Sequence, residues 1–387
     1  MPGPTLGQPD RRNDGRKKDD NVSKSLGHGL RRFAALVLTA ATAAITSAAD
    51  TAPITWSELP ALPAAAGQQE QPGLAGAFAG VHGGALIVAG GANFPAGWPR
   101  TATGEQSPKV YHRDIYVLRP AAQEGGTPTW QIVSAKLDQG YSYGVSVSTP
   151  DGIVCIGGEW KDGFVKDPDT GKLSQPWHLS DRVFVLRWDA VKGDVEVADK
   201  LLASGDDPTA VQPLPPLPEP CAYIAGGKIG NVIYIAGGNC GKGREATDHF
   251  WALDLSKKTS AAGFVWESRP TWPSAPRWKT AATVQSDGST DCFYLFSGTG
   301  PGGERLTDGW RFNPKAYAAA LHDFCRTQGL PTTDTNDLND AKRTEFFAEV
   351  ADLNTRSGPQ PRHRPWLETA DVGEGAPGVR CVAAAPA

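Results

Sequence analysis

Four short apolar runs punctuate the chain, and each closes on a pair of small residues. They are GALIVAGGANF (84–94), GIVCIGGEW (152–160), NVIYIAGGNC (231–240) and CFYLFSGTG (292–300). Runs of this length, rich in β-branched and aromatic residues and bounded by glycine, predict strands. A polar loop and a second strand follow each: HRDIYVL (112–118), LSDRVFVL (179–186), ATDHFWAL (246–253) and LTDGWRF (306–312). A strand of mostly small residues precedes each: AGAFAGVHGG (75–84), YGVSVSTPDG (143–152), AYIAGGKIG (222–230) and WKTAATVQSDG (278–288). Trp130, Trp266 and Trp366 mark an outer strand in three of the units. Each unit therefore predicts four strands.

Repeated four-stranded units with a glycine doublet and a downstream Trp predict an all-β chain, a kelch-type β-propeller with about four complete blades and partial ones at either end. The doublet has a physical reason: where neighbouring blades converge, a side chain clashes or is forced to positive φ. From Gly91 to Gly158, Gly238 and Gly298 the steps are 67, 80 and 60 residues, longer than the ~50 of a plain kelch repeat. The excess lies in loops, among them the Pro-rich PTAVQPLPPLPEP (208–220), expected as an extended linker between blades. Within 315–360, PKAYAAALHDFCRTQGL and NDAKRTEFFAEVADLNTR predict two helices inserted before the last Trp strand, either capping one mouth or decorating the surface. The propeller is expected over 54–387. Its first element is the lone Trp strand ITWSELPALP (54–63), and its last, GVRCVAAAPA (378–387), resembles the inner strand of a fifth unit cut before its doublet.

The first 49 residues read differently. Basic residues from Arg11 to Arg32 precede FAALVLTAATAAITSAA (33–49), with Ser47 and Ala49 placed for cleavage before Asp50. This predicts an export leader, hence a periplasmic or secreted protein, rather than an anchor; no later stretch is apolar enough to span a bilayer. With a net charge of −4 the chain has no global attraction to nucleic acid. An exported chain can oxidise its cysteines, and Cys221 and Cys240, flanking one strand pair, are the best candidates for a disulfide; Cys155 and Cys292 lie in apolar runs and suit buried thiols. Neither C-x-x-C nor paired-His spacing occurs, so no metal site is expected.

GLAGAFAGVHGGALIVAGGANFP (73–95), KVYHRDIYVL (109–118), YSYGVSVSTPDGIVCIGGE (141–159) and APRWKTAATV (275–284) together resemble the cyclically permuted mutarotase family, kelch propellers similar to N-acetylneuraminate epimerase. The resemblance covers roughly 54–314 and 361–387. It implies a six-bladed propeller, exported, that interconverts the anomers of a sugar acid without a cofactor. That chemistry needs a base for the anomeric hydroxyl, an acid for the ring oxygen and a cation for the carboxylate. The family's catalytic pair is a Glu directly after Gly at a strand end, with Arg six residues later. Gly158-Glu159 matches locally on a different blade, but Val165 stands where the Arg belongs. The pair is therefore not carried over, and the alternative is a kelch ring that binds a carbohydrate or protein without turnover. A galactose-oxidase-like copper enzyme would need a Tyr/His/Cys cluster that the sequence does not display.

Candidate substrate-binding residues are Asn93 and Phe94 after the first doublet, Glu159 after the second, and Arg277 and Arg380, each just before a small-residue strand. The plainer expectation for Glu159 is a solvated loop carboxylate, and for the arginines a surface or blade-to-blade ion pair. Asp114, Asp181, Asp248 and Asp308 recur at one place in each unit, which predicts a structural role binding turn amides.

Overall fold

The computed structural model describes residues 58–65, 68–100, 104–120, 126–203, 208–243, 245–332, 334–355 and 364–369. The expected leader (1–49), the end of the helical stretch (356–360), Cys381 and Arg380 lie outside the described residues.

The described chain is mostly β, with four four-stranded antiparallel sheets and two helices. Each sheet is a meander whose strands neighbour one another in chain order. Sheet 1 comprises Phe78–His82, Ala85–Ala89, Asp114–Arg119 and Thr129–Lys136. Sheet 2 comprises Val145–Thr149, Gly152–Ile156, Val183–Asp189 and Asp194–Ala198. Sheet 3 comprises Ala225–Ile229, Val232–Ala236, Phe250–Asp254 and Glu267–Ser268. Sheet 4 comprises Ala281–Ser286, Asp291–Phe296, Gly309–Phe312 and Trp366–Glu368. The outer strand of sheet 2 carries no Trp, which is why only three outer strands are marked in the sequence.

The first strands of consecutive sheets touch, sheet 1 to 2, 2 to 3 and 3 to 4. Small residues make this approach possible: a Cβ on Gly226 would meet Val145 at 2.8 Å, and one on Gly227 would meet Val284 at 2.9 Å. The exposed edge of sheet 1 is hydrogen-bonded by hydroxyls of sheet 2, Ser146 accepting from the Ala79 amide (3.0 Å) and Ser148 from Val81 (3.1 Å), so the unpaired edge groups are satisfied.

The doublets perform the same service at the strand ends. Gly90, Gly157 and Gly237 have φ of 70, 64 and 63°. An added Cβ would stand 2.5 Å from a carbonyl oxygen of the next sheet, that of Tyr141, Cys221 and Arg277 respectively. The second glycine of each doublet donates its N–H to that same oxygen at 2.7–2.8 Å. In sheet 4 Ser297 takes the first place, with φ 59°.

Apolar faces fill the space between sheets. Val145, Val154, Ile156, Ile233, Ile235 and Leu253 form one core between sheets 2 and 3. The Pro-rich segment is part of it: Val211, Leu214 and Leu217 are buried there, and the Pro215 carbonyl accepts from the Trp266 indole (3.1 Å). A segment expected as a linker is thus a wedge, because its leucines have an apolar gap to enter. The outer Trp residues repeat this contact, Trp130 donating to the Pro60 carbonyl and Trp366 to that of Pro270, both at 2.8 Å.

Helix α1 (Pro314–Thr327) starts on an Asn313 cap with Pro in its first turn, and α2 (Asp340–Thr355) follows. Both sit between the third and fourth strands of sheet 4. Phe324 and Phe346 are fully buried with Phe250, Phe312 and Trp366, so the helices extend the core over sheets 3 and 4.

Candidate functional site

One residue stands two places before the first strand of every sheet: Gly76, Tyr143, Tyr223 and Lys279. All four have left-handed backbones, with φ of 64, 62, 56 and 54°. The amide of each donates to the carbonyl of its counterpart in the preceding sheet: Tyr143 to Gly76 (2.7 Å), Tyr223 to Tyr143 (2.7 Å) and Lys279 to Tyr223 (3.2 Å). A chain of hydrogen bonds therefore crosses all four sheets at one end and brings the side chains of these positions together. Left-handed non-glycine residues cost of order 1–2 kcal/mol each, and such strain concentrates at functional sites. At Gly76 there is no room for a side chain, since a Cβ would fall 2.5 Å from the Tyr143 ring.

Glu159 lies in the midst of this arrangement. It follows the second doublet, held by a reciprocal backbone pair with Ser142 (2.8 and 3.0 Å). Far from being solvated, it is 1% exposed. The hydroxyls of Tyr111 (2.6 Å) and Tyr223 (3.1 Å) both donate to Oε1, whereas buried Oε2 has no hydrogen-bond partner among the described residues. The Lys109 ammonium stands 4.0 Å from Oε1, donates to the Tyr143 hydroxyl (2.8 Å) and lies over the Tyr143 and Tyr111 rings at 4.3 and 5.1 Å. Tyr143 and Tyr223 stack at 4.5 Å, and Tyr223 meets Trp278 edge-on at 5.2 Å. Lys279 lies over Trp278 (4.2 Å) and Tyr223 (5.4 Å) on the other side.

Burial sets the protonation of these groups. It pushes the Glu159 carboxyl above the usual range, against the hydrogen bond from Tyr111 and the charge of Lys109, which favour the anion. Burial likewise lowers Lys109, with Glu159 opposing, and raises Tyr143, with the Glu159 charge adding to it. It drives the Tyr111 phenol far above its ordinary value, helped by the hydrogen bond and charge of Glu159. A carboxyl shifted toward neutrality beside two phenols and the Lys109 ammonium can move protons and hold an anion.

Of the sequence candidates among the described residues (Asn93, Phe94, Glu159 and Arg277), Glu159 alone stands in this cluster. Asn93 is locked away: its amide donates to the Gly73 carbonyl (2.9 Å) and to Gln71 (3.1 Å), and its oxygen meets His112 Nε2 at 2.7 Å. Phe94 is half-buried against Trp98, 4.3 Å between rings. Arg277 is fully buried and does not reach a mouth. Its guanidinium makes five hydrogen bonds: two to Asp308 (3.0 and 2.8 Å) and one each to Ala275, Ser297 and Ser274. Two of the four repeated aspartates, Asp114 and Asp308, hold cations rather than turn amides. Asp308 takes Arg277 and the Trp310 indole, and Asp114 takes Lys136. Cys221 and Cys240 are joined in a disulfide across a paired register.

Sequence reasoning missed Lys109, Tyr111, Tyr143, Tyr223, Trp278 and Lys279. A signal existed for three of them. Tyr143, Tyr223 and Lys279 occupy one repeat position, the place of Gly76 in the first unit, and bulky residues where a unit elsewhere uses glycine mark a strained backbone. Tyr111 and Lys109 had no such mark, because they come from a loop hairpin, Ala92–Asn93 with Val110–Tyr111, outside the four-strand repeat.

Comparison with known proteins agrees with the resemblance over part of the chain. Residues 35–169 match the family model for N-acetylneuraminate epimerase. The curated N-acetylneuraminate epimerases of Vibrio vulnificus, Brucella melitensis and Vibrio cholerae are similar at 40% identity over 112 residues, 32% over 146 and 34% over 149. These alignments cover 28, 36 and 37% of this chain and 27, 32 and 33% of the relatives, so it spans a third or less of their length. A solved structure described as that of YjhT aligns with 63% of this chain and 67% of its own at 17% identity, with a TM-score of 0.39. The stretch similar to the N-acetylneuraminate epimerase family, residues 35–169, includes Lys109, Tyr111, Tyr143 and Glu159.

Proposed function

We propose that this chain is an exported mutarotase or epimerase of N-acetylneuraminate or a related sugar acid, working by cofactor-free ring opening, and that its four sheets are blades of a kelch propeller. The stacked first strands and the amide chain crossing all four sheets support the radial arrangement. The single observation that carries the activity is the buried Glu159 carboxyl, with one oxygen bound by two phenols and the other without a hydrogen-bond partner among the described residues.

Ring opening removes the proton of the anomeric hydroxyl and supplies one to the ring oxygen. A carboxylate whose pKa is raised by burial is the stronger base for the first task. Lys279 and Lys109 flank the aromatic stack and suit the sugar carboxylate. The second reading, a binding module without turnover, draws on the lack of an Arg six residues after Glu159, where Val165 stands.

The test is proton NMR of anomer interconversion of N-acetylneuraminate with the full chain. The expected result is acceleration over buffer, with a rate rising as pH passes through the elevated Glu159 pKa, and loss of about 100-fold or more in Glu159→Gln. A rate equal to buffer removes the enzyme; retained sugar binding in that case selects the binding module. Export is checked by the N-terminus of secreted protein, expected at Asp50.

A further inference from the structure

Building on the enzymatic reading of this site, we propose that Tyr111 and Glu159 act as one proton-exchange pair. Glu159 takes the proton of the anomeric hydroxyl while Tyr111 gives its own to the ring oxygen.

Three observations distinguish Tyr111 from its neighbours. Its hydroxyl is the closer of the two on Oε1, 2.6 Å against 3.1 Å for Tyr223. Tyr223 is committed to holding the site together: its backbone is left-handed, its amide and carbonyl carry the hydrogen bonds to sheets 2 and 4, and its ring is stacked on Tyr143. Tyr111 comes instead from the two-residue strand Val110–Tyr111 outside the four-strand repeat, with the Lys109 ammonium over its ring at 5.1 Å. Because both phenols share Oε1, buried Oε2 has no partner among the described residues and is the oxygen left to meet a substrate hydroxyl.

The step balances without any co-reactant. The anomeric O–H bond breaks, its proton goes to Glu159 Oε2, and its electron pair forms the carbonyl. The bond from the anomeric carbon to the ring oxygen breaks with its pair on that oxygen, which takes the Tyr111 proton as the phenol turns from Oε1. A carboxylic acid and a phenolate then stand within hydrogen-bond distance. Transfer of the proton from Glu159 to Tyr111 restores both groups, and Lys109 offsets the transient phenolate charge. Closure on the other face of the carbonyl runs the same steps in reverse.

The experiment measures anomer exchange across pH for wild type, Tyr111→Phe and Tyr223→Phe. Tyr111→Phe should lower kcat at its pH plateau by about 100-fold or more with KM little changed, and Tyr223→Phe by less than about tenfold. A role confined to positioning has another signature. The Tyr111 hydrogen bond favours the Glu159 anion, so its loss alone would move the pH profile upward and leave the plateau rate intact. That outcome overturns the pair while the enzymatic reading stands, whereas an inactive wild type overturns both. Should Tyr111→Phe fail to fold, the proton inventory of the wild type decides: a curved dependence on deuterium content supports two protons in flight, and a linear one refutes them.

Discussion

Replacing Gly237 by Ala tests how the sheets are held together, and Gly230→Ala is its internal control. Both glycines are left-handed, with φ of 63 and 57°, so both substitutions carry the same backbone cost, about 1 kcal/mol or slightly more. Their surroundings differ. Around Gly230, in the turn between two strands of sheet 3, nothing lies within 4 Å of an added Cβ. At Gly237 the Cβ would meet the Arg277 carbonyl oxygen at 2.5 Å. That oxygen is backbone and cannot rotate away, and it also accepts the Gly238 amide at 2.8 Å. Relieving the overlap separates sheets 3 and 4 locally, costing about 1–3 kcal/mol of overpacking and about 1 kcal/mol of hydrogen bond. The expected losses are about 1 kcal/mol for Gly230→Ala and about 3 kcal/mol or more for Gly237→Ala. Urea unfolding followed by tryptophan fluorescence measures both. Ser297 shows that a side chain is accommodated at the same repeat position in sheet 4, so strain by itself does not forbid Ala. Equal losses in the two variants would refute the account of the doublet as an inter-sheet contact.

Two further expectations concern stability. Burial would raise the Asp308 carboxyl, but hydrogen bonds from Arg277, Trp310 and Ser274 outweigh it and hold the pKa down at about 2. A depressed acid stabilises the fold above its unfolded pKa near 4 and loses that contribution as pH falls toward 2. Asp308→Asn should therefore flatten the fall in urea midpoint over that window, by on the order of 1 kcal/mol after allowance for its partial solvation. The Cys221–Cys240 bridge closes a loop with a separation of 19 residues. The double Cys→Ser variant should lose about 3 kcal/mol by the loop-entropy argument, read from the same unfolding curves, and an unchanged midpoint would contradict it.

Legibility differs by level. Strand pattern, doublets and the two helical stretches are local signals, written in alternation, glycine and capping residues, and each can be read without knowing what packs against it. The Pro-rich segment illustrates the limit: its prolines indicate extended chain, but burial of Leu214 and Leu217 depends on the gap between sheets 2 and 3. Arg277 illustrates it again. Placement before an inner strand is a property of the sequence, whereas the partner Asp308, 31 residues away, is supplied by folding.

Local patterns alone specify the unit: small-residue strand, doublet, aromatic strand and, in three of four cases, a Trp strand, because each is set by steric and hydrophobic constraints within a few residues. The site, by contrast, arises from folding alone. Glu159 draws Tyr111 from 48 residues before it and Tyr223 from 64 residues after it, and no local rule relates these positions. Tyr143, Tyr223 and Lys279 converge because their left-handed backbones are hydrogen-bonded across neighbouring sheets, and the Val110–Tyr111 hairpin brings Tyr111 to the same carboxyl. That same crowding removes water from the carboxyl and so sets its chemistry.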